Sequence, residues 1–248
     1  MRVVVIIPSR YGSSRFEGKP LADICGKPMI EWVCRRTIQA QCVDSVHVAT
    51  DDHRIQEVVS AFGGSVVMTS STCRSGTDRV AEAAQRLGLD SDDVVVNIQG
   101  DQPLVDPRCV DAVVQPFHDD PTVKMSTLAF AIVDPREIND PKDVKVIFDN
   151  KGDALYFSRA TIPHGRDGSS GYDIYKHLGV YAYTKKFLEQ FLAFTPGRLE
   201  EIEKLEQLRA MEHGHRIRVV VSPYDSPEVD LPMDIQRIEA RMAALGLC

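Results

Sequence analysis

No Cys-x-x-Cys pair occurs in the chain, although it carries six cysteines, at positions 25, 34, 42, 73, 109 and 248. That spacing excludes the usual zinc patterns and the dense disulfide framework of a small secreted domain, and it predicts reduced thiols in a cytoplasmic protein. No apolar run approaches the roughly 18 residues of a membrane span. The first hydrophobic strand begins at residue 3, which leaves no room for the charged start and apolar middle of a signal peptide. There is no basic excess either: 29 Lys and Arg against 36 Asp and Glu give a net charge of −7. A nucleic-acid partner is therefore not expected, because such binders present a basic face to phosphate. Any bound polyanion must rest on local Lys and Arg, or on a metal. G-x-G-x-x-G is absent. Walker A is absent too: the span from Gly12 to Gly18 is one residue too long, and Lys19 is followed by Pro20 instead of a hydroxyl residue. No internal repeat and no low-complexity linker interrupts the chain. What is present, 43% hydrophobic and 26% charged residues over 248 positions, is ordinary for a globular protein with a sizeable core.

Short apolar runs alternate with helical patterns through the first half. VVVIIP (3–8), SVHVATD (45–51), SVVMT (65–69) and DVVVNIQGD (93–101) read as strands. Between them MIEWVCRRTIQA (29–40), HRIQEVVSAFG (53–63) and GTDRVAEAAQRLG (76–88) read as helices, the first with Ile30, Val33, Cys34 and Ile38 on one face. This alternation predicts an α/β fold: a mostly parallel, Rossmann-like sheet with helices on both faces. Beyond about residue 122 the rhythm changes. Residues 124–133, 144–159 and 178–188 read as longer strands, with DNKGDA as a hairpin turn, and 164–172 as a polar Gly-rich loop. LEEIEKLEQLRAMEHG (199–214) reads as one helix with Leu199, Ile202, Leu205 and Met211 on its buried face, and Pro232 starts a closing helix. The expected organisation is a single domain, 1–248. It comprises a nucleotide-binding part (1–122), a smaller, more antiparallel sugar-binding and dimerisation lobe (123–226), and a C-terminal helix returning to the core (227–248).

Three constellations carry chemistry. In VVIIPSRYGSSRFEGKPL (4–21), a strand runs into Arg10, Arg15 and Lys19 with Gly12 and Gly18 among them. Ligands of open α/β sheets bind beyond the carboxyl ends of the strands, where these cations would face phosphate. In VVVNIQGDQPLVD, Asp101 emerges at the same edge. A carboxylate beside a triphosphate calls for a cation between them, and Mg²⁺ prefers one or two carboxylates with phosphate oxygens and water. The late segment SPEVDLPMD offers Glu228, Asp230 and Asp234 as partners, with Asp230 alternatively capping the last helix. In TCRSGTDRV, Ser75 to Asp78 form either an N-cap box or a nucleoside contact.

Nine segments together, IIPSRYGSSRFEGKPL, GKPMIEWV, VATDD, SGTDR, VNIQGDQP, ALYFSRATIP, KHLGVYAY, LEQLR and VDLPMD, resemble the 3-deoxy-manno-octulosonate (Kdo) cytidylyltransferases of the sugar nucleotidyltransferase superfamily, in order and along nearly the whole chain. The resemblance implies transfer of CMP from CTP to the 2-hydroxyl of Kdo with release of pyrophosphate, for lipopolysaccharide synthesis, by a Mg²⁺-dependent homodimer. It implies that Pro8, Ser9, Arg10, Arg15, Lys19, Arg74, Ser75 and Gln99 bind the nucleotide, with Arg10, Lys19 and Asp101 catalytic. Asp101 and Asp230 would hold Mg²⁺, and Arg159, His177, Tyr181, Glu206 and Gln207 would bind the sugar acid. If 177–183 is one strand, alternation puts His177, Tyr181 and Tyr183 on one face, whereas Glu203 and Lys204 read as a solvated helix face. Gln102 departs from the family's usual Glu, which removes a charge beside Asp101. Another ulosonic acid, sialic acid or an amino-Kdo analogue, is the alternative substrate; a glycosyltransferase would hold metal through an Asp-x-Asp motif, and neither Thr-Asp-Asp at 50–52 nor Gly-Asp-Gln-Pro at 100–103 is one.

Overall fold

The residues from Val3 to Ile7 are at most 3% exposed, so the first strand, β1 (Val3–Pro8), runs through the middle of the molecule. The structure, a computed structural model, describes residues 1–12, 15–166 and 171–248. After β1 come the two-residue strands β2 (Asp23–Ile24) and β3 (Lys27–Pro28), which pair only with each other, then helix α1 (Met29–Thr37). Strand–helix alternation continues with β4 (Ser45–Thr50), α2 (His53–Ala61), β5 (Ser65–Met68), α3 (Gly76–Arg86), β6 (Val94–Asn97) and α4 (Pro107–Asp119). Strands β6, β1, β4 and β5 are neighbours in that order and all parallel, as the sequence pattern predicts. The chain steps from β1 to β4 and β5 on one side, then returns to β6 on the other. The gap beyond the carboxyl ends of β1 and β6 is thus the switch point where open sheets bind ligands.

The second half extends this same sheet. Strand β7 (Met125–Ala131) is followed by the short helix α5 (Pro135–Ile138) and the hairpin β8 (Lys145–Phe148) and β9 (Ala154–Ser158). Strand β10 (Tyr175–Thr184) inserts antiparallel between β6 and β7. Helix α6 (Lys185–Leu192), two short helices α7 (Arg198–Glu203) and α8 (Leu208–Glu212), the edge strand β11 (Arg218–Val221) and helix α9 (Asp234–Ala244) complete the fold. The DNKGDA hairpin forms as expected: Asp149 accepts from the amides of Lys151 and Asp153, and Gly152 takes φ 82°. Two apolar layers flank the sheet, one including Ile30, Val33, Val110 and Val113, the other Val80, Ala84, Phe187 and Phe191.

Five expectations are corrected. The strand predicted over 178–188 ends at Thr184, whose hydroxyl caps α6 by accepting from the Phe187 amide; residues 185–188 are helical. The helix predicted over 199–214 is two. Lys204 takes a left-handed conformation, φ 55°, which breaks it, so Leu199 and Ile202 lie exposed while Leu205 and Leu208 are buried. The closing helix starts at Asp234, not Pro232, and Ile38 follows α1 on the surface. Finally, the thiols are not all reduced. Packing of α9 against β2 brings Cys25 and Cys248 to a Cα separation of 5.5 Å, and they form a disulfide across 223 positions. No local spacing could signal that pair. Cys34, Cys42, Cys73 and Cys109 remain free. The Gly-rich stretch 164–172 lies partly outside the described residues. No helix among them is long and apolar enough to cross a membrane.

Candidate active site

Two cavities meet at the carboxyl edge of the parallel strands. The smaller, about 250 Å³, lies at the switch point between the ends of β1 and β6 and is bordered by the start of α3. The larger, about 740 Å³, opens toward β10 and the segments flanking β8. Arg15, Gln99 and Asp101 border both. A ligand in each would therefore meet at Asp101.

Every residue expected to bind the nucleotide lines the smaller cavity: Pro8, Ser9, Arg10, Arg15, Lys19, Arg74, Ser75 and Gln99. Close packing of backbones makes the space. A Cβ on Gly100 would sit 2.7 Å from Ser9 Oγ, so only glycine lets the end of β6 approach the end of β1 this closely. Gly18, at φ 68°, turns the chain so that Lys19 points back to the sheet edge, and its amide donates to Tyr11 O at 2.9 Å. Arg10 is exposed. The Ser9 hydroxyl is buried without a hydrogen-bond partner. At the start of α3, Ser75 and Asp78 form a full capping box, so the N-cap alternative holds. Ser75 borders the cavity as well. Sequence reasoning did not single out Cys73, Arg79 or Gly100, which complete this wall.

Between the cavities, the Lys19 ammonium lies 2.6 Å from Asp101 Oδ2, donates to Val229 O at 3.0 Å, and stands 3.9 Å from Asp230 Oδ1. Arg15 reaches Asp230 at 3.2 Å. Asp101 Oδ1 is buried and has no hydrogen-bond partner among the described residues. Asp230 does not cap α9. That loop is tied by Asp234, which accepts from the amides of Asp230 and Leu231, leaving the Asp230 carboxylate to face Lys19. Glu228 adds a third acid. Burial first, then the charges of Asp101 and Asp230, push its carboxyl up to about 8. Gln102 is fully buried; it donates to Leu178 O at 2.7 Å and to Glu228 Oε1 at 3.2 Å. The amide thus fastens the loop after β6 to β10, a role its exposed-looking sequence context did not reveal.

In the larger cavity, Arg159 and His177 are on the wall. The Arg159 guanidinium is held by backbone carbonyls, Glu203 O at 2.8 Å and Pro141 O at 2.9 Å, and it forms no ion pair among the described residues. Glu203, expected on a solvated face, instead accepts from Ser158 Oγ and the Arg159 amide and fixes this corner. His177 and Tyr181 share a face as predicted, with ring centroids 5.1 Å apart, across a bulge at Gly179, φ 66°. Thr127 Oγ1 donates to Val180 O, so the 2.8 Å contact with His177 Nε2 is a donation from the imidazole. Burial pushes the His177 pKa down to about 3, which keeps the ring neutral. Tyr181, Glu206 and Gln207 do not border the cavity. Glu206 and Gln207 sit in the turn between α7 and α8, beneath the break at Lys204. The Glu206 carboxylate accepts from the Thr77 hydroxyl there, and its charge raises the Tyr181 pKa further after burial. Buried Gln207 Nε2 has no partner. The wall also carries charges that sequence reading missed: Lys176, a buried cation on a strand, bridges Glu137 at 2.9 Å and Asp225 at 3.0 Å. Its place in KHLGVYAY, on the face opposite His177, was the available signal.

Residues 4–217 match the family described as "Cytidylyltransferase". A 3-deoxy-manno-octulosonate cytidylyltransferase of Desulfatibacillum aliphaticivorans is 64% identical over 240 residues, 97% of this chain and 98% of that protein. An 8-amino-3,8-dideoxy-manno-octulosonate cytidylyltransferase of Shewanella frigidimarina is 56% identical over 244 residues, 98% of this chain and 99% of its own. Among solved structures, a CMP:2-keto-3-deoxy-manno-octonic acid synthetase complexed with CTP superposes with a TM-score of 0.93 at 41% identity, covering 99% of this chain and 100% of that one. The chain belongs to the cytidylyltransferase family, with the 3-deoxy-manno-octulosonate cytidylyltransferases among its near relatives.

Proposed function

We propose that the chain transfers CMP from CTP to the 2-hydroxyl of 3-deoxy-manno-octulosonate, giving CMP-Kdo and pyrophosphate. The observation that carries this is the meeting of a nucleotide-sized cationic cavity and a larger polar cavity at one residue, Asp101. Relatives named for this activity, and a neighbour solved with CTP, support it. Phosphoryl transfers of this kind depend on positioning and charge stabilisation. Arg10 and Lys19 would draw the triphosphate into the smaller cavity and balance charge on the phosphate oxygens and the leaving pyrophosphate. Ser75 and Gln99 would border the nucleoside. Arg159, unneutralised on the opposite wall, would fork onto the sugar carboxylate. His177, neutral and donating through Nε2 to Thr127, is a fixed hydrogen-bonding surface, not a proton carrier. Tyr181, Glu206 and Gln207 would back this subsite from beneath it.

Mg²⁺ fits the donor set. Asp101 Oδ1 is buried without a partner, and Asp101 and Asp230 face a common cation position. Held there, Mg²⁺ would offset phosphate charge and polarise the reacting phosphorus. The proposal extends to a homodimer acting in the cytoplasm in lipopolysaccharide synthesis.

The test is pyrophosphate release from CTP and Mg²⁺ with Kdo, and in parallel with its 8-amino analogue, since relatives of both kinds are similar to this chain. Release with Kdo is expected. Release with neither acid refutes the function, and release with the 8-amino acid alone reassigns the substrate.

A further inference from the structure

One ammonium occupies the position that Asp101 and Asp230 face. Lys19 Nζ spends one N–H on Asp101 Oδ2 at 2.6 Å and one on Val229 O at 3.0 Å, with Asp230 Oδ1 at 3.9 Å. Two of the ammonium's three donors are thus spent on the loops that carry Asp101 and Asp230, with the second carboxylate within ion-pair range. The contact is sheltered: the side chains of Lys19, Asp101 and Asp230 are 16%, 23% and 15% exposed, so water and salt screen it less than a surface pair. A divalent cation on the same two carboxylates, even one held by the unpartnered Asp101 Oδ1, would stand beside the Lys19 ammonium and be repelled by its charge. Lys19 also lines the smaller cavity, on a four-carbon stem anchored by the fixed turn at Gly18. A triphosphate in that cavity offers the ammonium a stronger anion within a side-chain rotation.

We propose that Lys19 is a cation lock: in the absence of nucleotide it holds the position a divalent ion takes between Asp101 and Asp230, and binding of a triphosphate draws it off. This rests on the proposed function, and it adds an order to it. Free divalent ion binds poorly to the empty chain, and nucleotide binding raises the affinity for the ion, with the same coupling in reverse. Lys19 therefore acts twice, on the phosphates when they are present and on the carboxylates when they are not.

The experiment measures Mn²⁺ binding to the full chain without nucleotide, by the electron paramagnetic resonance signal of free Mn²⁺ at low salt. Lys19→Gln, and Lys19→Met as a second variant of similar length, should each bind Mn²⁺ at least tenfold more tightly than the wild-type chain, although both lose turnover. Lys19→Arg, which keeps a cation, should bind no better than wild type. Adding Asp101→Asn to Lys19→Gln should abolish the gain. Unchanged or weaker Mn²⁺ binding in both neutral variants overturns the lock while leaving the cytidylyl-transfer assay untouched. A gain in Lys19→Arg as large as in the neutral variants also overturns it. A gain that survives Asp101→Asn removes the metal from this pair of carboxylates, and the lock with it.

Discussion

Acidification should weaken the fold through His177, and the size of the effect can be worked from its surroundings. The imidazole packs edge-on to Phe157 at 5.2 Å, lies 5.1 Å from Tyr181, and donates through Nε2 to Thr127, whose own proton goes to Val180 O. A second proton would put a charge where Phe157, Tyr181 and Thr127 provide no acid. Burial accordingly lowers the pKa from 6.5 to about 3. The unfolded chain takes up this proton as pH falls through about 6.5, whereas the folded chain does not until about 3. The unfolded state thus binds more protons across that window, and stability falls as pH is lowered through it. At about 1.4 kcal/mol per pH unit, moving from pH 7 to pH 5 should cost about 2 kcal/mol through this group alone. Urea unfolding of the wild-type chain and His177→Gln at pH 7, 6 and 5 measures it. The variant is less stable at pH 7, but the gap should close by about 2 kcal/mol at pH 5 because Gln does not titrate. Parallel pH dependences for the two chains would refute the buried, neutral histidine.

Other outcomes follow from the same geometry. Asp101→Asn should reduce turnover by roughly 10²-fold or more, as removal of one preorganised charge does elsewhere; circular dichroism should be unchanged, and near-normal turnover would contradict the placement of Asp101 between the two ligands. Arg159→Ala should weaken sugar-acid binding by roughly 10- to 100-fold through loss of charge-assisted hydrogen bonds, with CTP affinity changed much less. Calorimetry with each ligand separates the two, and equal losses would reject the carboxylate clamp. Reduction of Cys25–Cys248, or Cys248→Ser, should lower stability by about 2–5 kcal/mol because the bridge closes a very long loop; an unchanged denaturation midpoint would show that α9 is secured by the packing of Ile238 and Met242 alone.

The parallel half of the fold was legible because its signals are local. Strands β1, β4, β5 and β6 are each a short apolar run, each intervening helix has a 3.6-residue apolar face, and sequential α/β connections leave few topologies open. The convergence of Arg10, Lys19 and Asp101 on the smaller cavity followed from that, since all three leave strand ends at one edge. The rest depended on distant contacts. The turn at Lys204 interrupts a good amphipathic pattern because Glu203 is needed at Ser158 and Arg159, 45 and 44 positions away in the chain. The end of β10 at Thr184 was hidden by apolar residues that serve equally in strand or helix, and was set by a threonine cap. Gln102, Lys176 and the Cys25–Cys248 bridge acquire their roles only through partners on other elements. The resemblance of the motifs to a known family supplied Tyr181, Glu206 and Gln207, and the geometry sets them one layer behind the cavity wall.

The most direct test of the account is a crystal structure of the chain with CTP, Mg²⁺ and an unreactive 2-deoxy analogue of the sugar acid. The cytosine and ribose should lie by Ser75 and Gln99, the triphosphate by Arg10 and Lys19, and the sugar carboxylate at Arg159, with Asp101 between the α-phosphorus and C2. A nucleotide bound away from Lys19 and Asp101, or a sugar acid outside the cavity walled by Arg159 and His177, would contradict it.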